Sequence, residues 1–111
     1  MSKSTTKVSD DMALKIEQWK KEHGDVYRIK VTDPDDESRV YECYVKKPSK
    51  NHMAAAAPYL QSDPIKAGDI LRANCYLAGD PEIASKDECA LAVNLRLFEL
   101  FKLAETELGK L

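Results

Sequence analysis

An α+β fold is predicted: an N-terminal helix, one β-hairpin, then a helical C-terminal half of two to three helices ending in a long one. Three features carry this. Apolar residues recur at helical spacing near the N-terminus, alternate with polar ones between Tyr27 and Val45, and return to helical spacing after Lys50. A chain of 111 residues has room for one core. Residues 1–8 are small and polar and are expected to be a disordered tail, with 9–111 as a single domain.

In the first helix, Ser9, Asp10 and Asp11 offer capping oxygens and negative charge where the helix dipole is positive. Met12, Ile16 and Trp19 form its apolar stripe, and Gly24 supplies a left-handed stop. Period two follows. Tyr27, Ile29 and Val31 alternate with Arg28 and Lys30, and Tyr41, Cys43 and Val45 alternate with Glu42 and Tyr44. The polar run Asp33–Ser38 is read as a solvated turn between the two strands. A two-stranded hairpin is marginal in water, so its apolar face must rest on helices. No third strand is evident, although one from another molecule has an edge to join.

Pro48 ends the sheet and Ser49 can cap the next helix, whose Ala54–Ala57 run favours helix until Pro58 interrupts it. Asp63-Pro64 is an N-cap followed by a first-turn proline, and the helix is expected to run to Gly79 with Ile65, Ile70, Leu71, Ala73, Cys75 and Leu77 on its apolar side. Ser85-Lys86-Asp87-Glu88 has capping-box spacing and is expected to open the last helix. Cys89, Val93, Leu97, Leu100, Phe101, Ala104 and Leu108 make one stripe of that helix. Leu91, Leu95 and Phe98 make a second. One stripe suffices for a surface helix, so the second is either core or a docking face.

Composition argues against several functions. Charged residues are 32% of the chain but nearly cancel, to a net charge of -2, so there is no strong electrostatic footprint for nucleic acid. Arg28, Lys30, Arg39, Lys46, Lys47 and Lys50 interleave with Tyr27, Tyr41 and Tyr44, but Tyr27 and Tyr41 belong to the core-facing set. The pattern therefore argues against nucleic acid as a partner. Neither GxxxxGK[ST] nor GxGxxG occurs. The acidic run Asp33–Glu37 lacks the glycine and distal glutamate of a calcium loop. His23 sits at the carbonyl end of its helix, and His52 has no catalytic partner implied by spacing. Cys43, Cys75 and Cys89 are odd in number and form no CxxC, which suits buried thiols in a reducing compartment. No apolar run follows Met1–Lys7, and none is long enough to span a bilayer. The expectation is a cytoplasmic, non-enzymatic, partner-binding protein with no catalytic residues, cofactor or metal and no membrane partner.

The segments Tyr44-Val45-Lys46-Lys47-Pro48-Ser49, Asp63-Pro64-Ile65 and Asn74–Ile83 set a resemblance beside this reading. Over roughly residues 12–108 the chain resembles small phage and prophage proteins, the tail assembly chaperones of long-tailed phages. The Ala54–Ala57 run closed by Pro58 departs from that pattern. The resemblance implies a protein that coats a long helical tape-measure protein through apolar contacts until the tail tube polymerises around it. A client of that kind would be met by Leu91, Leu95 and Phe98, with Met53 as a further contact. A self-associating structural or regulatory phage protein, its second stripe consumed in a homo-oligomer, is the alternative.

Overall fold

The computed structural model describes residues 10–101 and 106–111. The expected tail 1–8, Ser9 and Ala104 lie outside them. Its elements are α1 (Asp10–His23), β1 (Val26–Asp33), β2 (Asp36–Lys46), α2 (Lys50–Ala56), α3 (Pro64–Cys75), β3 (Tyr76–Gly79), α4 (Pro81–Ser85) and α5 (Asp87–Leu100), with a 3-10 turn over Ala57–Tyr59 after α2. The α+β class holds, as do the N-terminal helix and the hairpin.

Gly24, at φ 85°, stops α1, and its N–H donates to the Lys20 carbonyl at 3.0 Å. Ser49 caps α2 reciprocally. Its Oγ accepts from the His52 N–H at 3.3 Å, and His52 Nδ1 accepts from the Ser49 N–H at 3.1 Å, so histidine fills the place usually held by glutamate. Pro58 converts the end of α2 into the 3-10 turn. Asp63 caps α3, accepting from the Lys66 N–H at 3.1 Å, with Pro64 in the first turn.

The strands form an antiparallel sheet in the order β1-β2-β3. Tyr27 faces Val45, Ile29 faces Cys43 and Val31 faces Tyr41, which places the alternating apolar set on one side. That side closes over α3, α4 and α5 in a single core, where Val45, Leu71, Ile83, Val93 and Leu97 are fully buried. The opposite side carries Arg28, Lys30 and Tyr44. There Trp19 of α1 covers Tyr44, with ring centroids 6.0 Å apart. The helices α3 and α5 cross closely at Gly68, where an added Cβ would lie 2.8 Å from the Asn94 Cβ.

Four expectations are corrected. The helix expected to reach Gly79 ends at Cys75, because Tyr76 turns extended (φ -73°, ψ 127°) and begins a third strand. This strand pairs Cys43 with Gly79, Tyr44 with Ala78 and Val45 with Tyr76, leaving Leu77 as the extra residue of a bulge. Asp80 extends the pairing: its N–H donates to the Glu42 carbonyl at 2.9 Å and its Oδ2 accepts from the Glu42 N–H at 2.8 Å. The sheet's need for a partner on β2 outweighs the helix propensity of Tyr-Leu-Ala.

Second, the Ser85 capping box does not form. Ser85 closes the short helix α4, and α5 starts after an extended Lys86 with no side-chain cap. Lys86 is instead drawn to Asp33, 2.7 Å away. Third, α5 ends at Leu100, and Phe101 is extended (φ -85°, ψ 102°). Residues 106–111 are not helical and Leu108 is fully exposed, so continuing the helix would bury nothing there.

Fourth, Asp33 is not solvated. Its side chain is only 2% exposed and takes three donors: the Tyr41 hydroxyl at 2.7 Å, the Lys86 ammonium at 2.7 Å and the Asp35 N–H at 2.8 Å. Lys86 above all, then Tyr41 and Asp35, hold the carboxyl well below the usual carboxylate range. Unfolded Asp33 therefore binds a proton as pH falls below about 4, where the folded form does not. The stabilisation is present above that pH and is lost on acidification. Asp33→Asn should lower the urea midpoint at neutral pH and flatten its acid limb between roughly pH 4 and 2. An acid limb of unchanged slope in the variant would show that other carboxylates set it.

Candidate functional site

The apolar surface of α5 is split by the fold. Cys89, Ala90, Val93 and Leu97 are buried, whereas Leu95 is 65% exposed and Leu91 37%. Phe98 is half-buried and packs against the core, as does Met53 of α2. Of the four residues expected to contact a partner, Leu91 and Leu95 thus stand one helical turn apart on open surface. Phe98 and Met53 belong chiefly to the interior.

Ile65 joins them. On α3 the buried positions are Ala67, Gly68, Leu71 and Cys75, spaced as one helical face, and Ile65 lies off it at 57% exposure. Ile65 and Leu91 line one groove of about 280 Å³ between α3 and α5, with Ala84 and Ala90 along it and Asp69, Arg72 and Asp87 on its rim. A second hollow of about 290 Å³ shares Asp69, Arg72 and Ala84 and continues to Ala73 and Tyr76. Together they make a shallow trough along α3.

The rim is ordered by ion pairs and hydrogen bonds. Asp69 Oδ1 accepts from the Arg72 guanidinium at 3.2 Å and from Asn94 Nδ2 at 2.9 Å. Asn94, only 3% exposed, leaves its Oδ1 without a hydrogen-bond partner among the described residues. The trough thus offers an apolar floor and a few fixed polar groups, which is the chemistry of helix-in-groove binding.

The groups that could perform chemistry are placed otherwise. The structure does bring a cysteine to a histidine: Cys75 Sγ lies 3.6 Å from His52 Nδ1. Burial raises the Cys75 thiol, and burial and then Lys46 lower the His52 imidazole. Both groups are held neutral, the reverse of what an activated thiolate–imidazolium pair needs. Burial pushes the Cys43 thiol up to about 12. Among the described residues no group of three or more His, Cys, Asp or Glu side chains could hold a metal ion, and no helix is long and apolar enough to cross a membrane. Tyr41 lies in the core and Tyr44 beneath Trp19, so neither is a free stacking platform beside Arg28 and Lys30.

Fold and surface define a small α+β domain with apolar helix surface left open between α3 and α5. The chain matches no protein-family model, no curated protein and no solved structure.

Proposed function

We propose that the protein is a non-enzymatic partner-binding module that takes an amphipathic helical segment of a client along the α3–α5 trough. The observation that carries this reading is the exposure of Ile65 and Leu91, which line a groove with an apolar floor, and of Leu95 one helical turn beyond Leu91 on α5. Large apolar side chains grouped at helical spacing beside a groove favour contact with another apolar face. The resemblance to tail assembly chaperones supplies the class of client: a long helical protein of tape-measure type, or a tail-tube subunit, in the cytoplasm of a host cell.

The test couples binding to folding. Leu95→Asp should change stability by less than about 0.5 kcal/mol, because the residue contacts mainly solvent. It should also abolish recovery of a long helix-rich client when the tagged protein is drawn from lysate at 0.5 M salt. Apolar contact survives such salt, whereas phosphate-driven binding does not. A variant that loses cooperative unfolding would place Leu95 in the core and overturn the assignment. A homodimer by light scattering, broken by Leu95→Asp, would instead assign the trough to a second copy.

A further inference from the structure

We infer that the outer edge of β1 is a second docking site, one that takes an extended acidic peptide segment by strand addition. It is distinct from the trough between α3 and α5. In the sheet order β1-β2-β3, β1 is an outer strand of eight residues whose only strand partner among the described residues is β2. Every second residue of an outer strand turns its N–H and C=O away from the sheet, leaving a row of donors and acceptors for another strand.

A hollow of about 470 Å³ lies against this strand. It is lined by the four consecutive residues 27–30 and by Arg96, Glu99 and Leu100 of α5. Consecutive strand residues point to opposite faces. A hollow that touches all four must therefore run along the edge of the strand, and β2 occupies the other edge. Its walls differ on the two sides. Tyr27 and Ile29, half-buried, join Leu100 on the core side, while Arg28 and Lys30 stand exposed on the opposite side.

Charge selects the occupant. Neither Arg28 nor Lys30 forms an ion pair with a described residue, and Glu99 is already engaged by Arg96 at 2.8 Å. Glu42, opposite Lys30 on β2, is half-buried and makes no ion pair with it. A second β1 is a poor fit. Antiparallel pairing centred on Ile29 sets Arg28 opposite Lys30, and centring on either neighbour sets that cation opposite its own copy. A strand with glutamates or aspartates at alternate positions meets Arg28 and Lys30 on one face and lays its apolar residues beside Ile29 and Leu100 on the other.

The probe is a fluorescein-labelled eight-residue peptide alternating glutamate and valine, matched in length to β1 and read by fluorescence anisotropy. Its controls are the lysine–valine counterpart and the same acidic peptide with every backbone nitrogen methylated, so that neither edge can donate. The acidic peptide should bind at least tenfold more tightly than either control and weaken as salt screens the charges. Arg28→Glu combined with Lys30→Glu should reverse the preference toward the lysine peptide, and Leu95→Asp should leave acidic-peptide binding unchanged. Equal binding of acidic and basic peptides would overturn the inference. So would binding that survives methylation, or no binding at all by folded wild-type protein; these three readouts do not depend on the double variant folding. Dimerisation by light scattering that the double variant abolishes would make a second copy the occupant and would likewise overturn it.

Discussion

Leu97→Ala should cost about 2–5 kcal/mol of stability, while Leu95→Ala, two positions away on the same helix, should cost less than about 0.5 kcal/mol. Leu97 is fully buried in the shared core of sheet and helices, so truncation loses its transfer free energy and leaves a cavity. Leu95 is 65% exposed and has little to lose. Urea unfolding checks both, and only the midpoint should move, because the surface exposed on unfolding barely changes. Equal losses at the two positions would mean that both stripes of α5 are interior. The case for an open face would then fall with them.

Gly79→Ala should destabilise by about 3 kcal/mol, the upper part of the range for overpacking. A Cβ at this position would meet the Tyr76 hydroxyl and lie 2.5 Å from the Cys43 Cβ and 2.9 Å from the Cys43 Cα. The tyrosine can swing aside, but the Cys43 backbone cannot, since it sits in the central strand paired on both sides. Gly24→Ala is the informative contrast. Among the described residues nothing lies within 4 Å of a Cβ there, yet φ is 85°, so its cost should be about 1–2 kcal/mol from backbone conformation alone. Gly24→Asn should recover much of that, because asparagine tolerates the left-handed region, whereas Gly79→Asn should be worse than Gly79→Ala. Thermal unfolding of the four variants separates the mechanisms. A mild Gly79→Ala would show that β3 can move away from β2.

The segment Asn74–Ile83 shows how far local reading reaches. Its Gly-Asp-Pro marks a change of direction, and the structure uses each residue: Gly79 for close approach to Cys43, Asp80 to pair with Glu42, and Pro81 to start α4. The preceding Tyr76–Gly79 was not legible as a strand. Four residues are too few to display period two, and Tyr-Leu-Ala continues a helical apolar pattern. In the candidate site, Leu91 and Leu95 were legible because they break the single-stripe rule for a surface helix. Ile65 was missed, although its offset from the Ala67–Leu71–Cys75 face carries the same signal. Asp33 gave no sign of burial, since its partners Tyr41 and Lys86 are distant in sequence and a polar turn is the ordinary setting for an aspartate.

By itself, then, the sequence determined what depends on neighbouring residues: the glycine stop of α1, the caps at Ser49 and Asp63, the proline break after α2, and the alternation that builds the hairpin. These are set by backbone sterics and by hydrogen bonds that close within a few residues. Only the tertiary structure decided that Tyr76–Gly79 becomes a strand, that Lys86 serves Asp33 and not a helix cap, that α5 stops at Leu100, and which of its stripes faces water. The strand and the ion pair turn on partners far along the chain, Cys43 to Val45 and Asp33, whose pairing exceeds the small local preferences that point the other way. The end of α5 and the face it shows to water turn on where the fold offers burial.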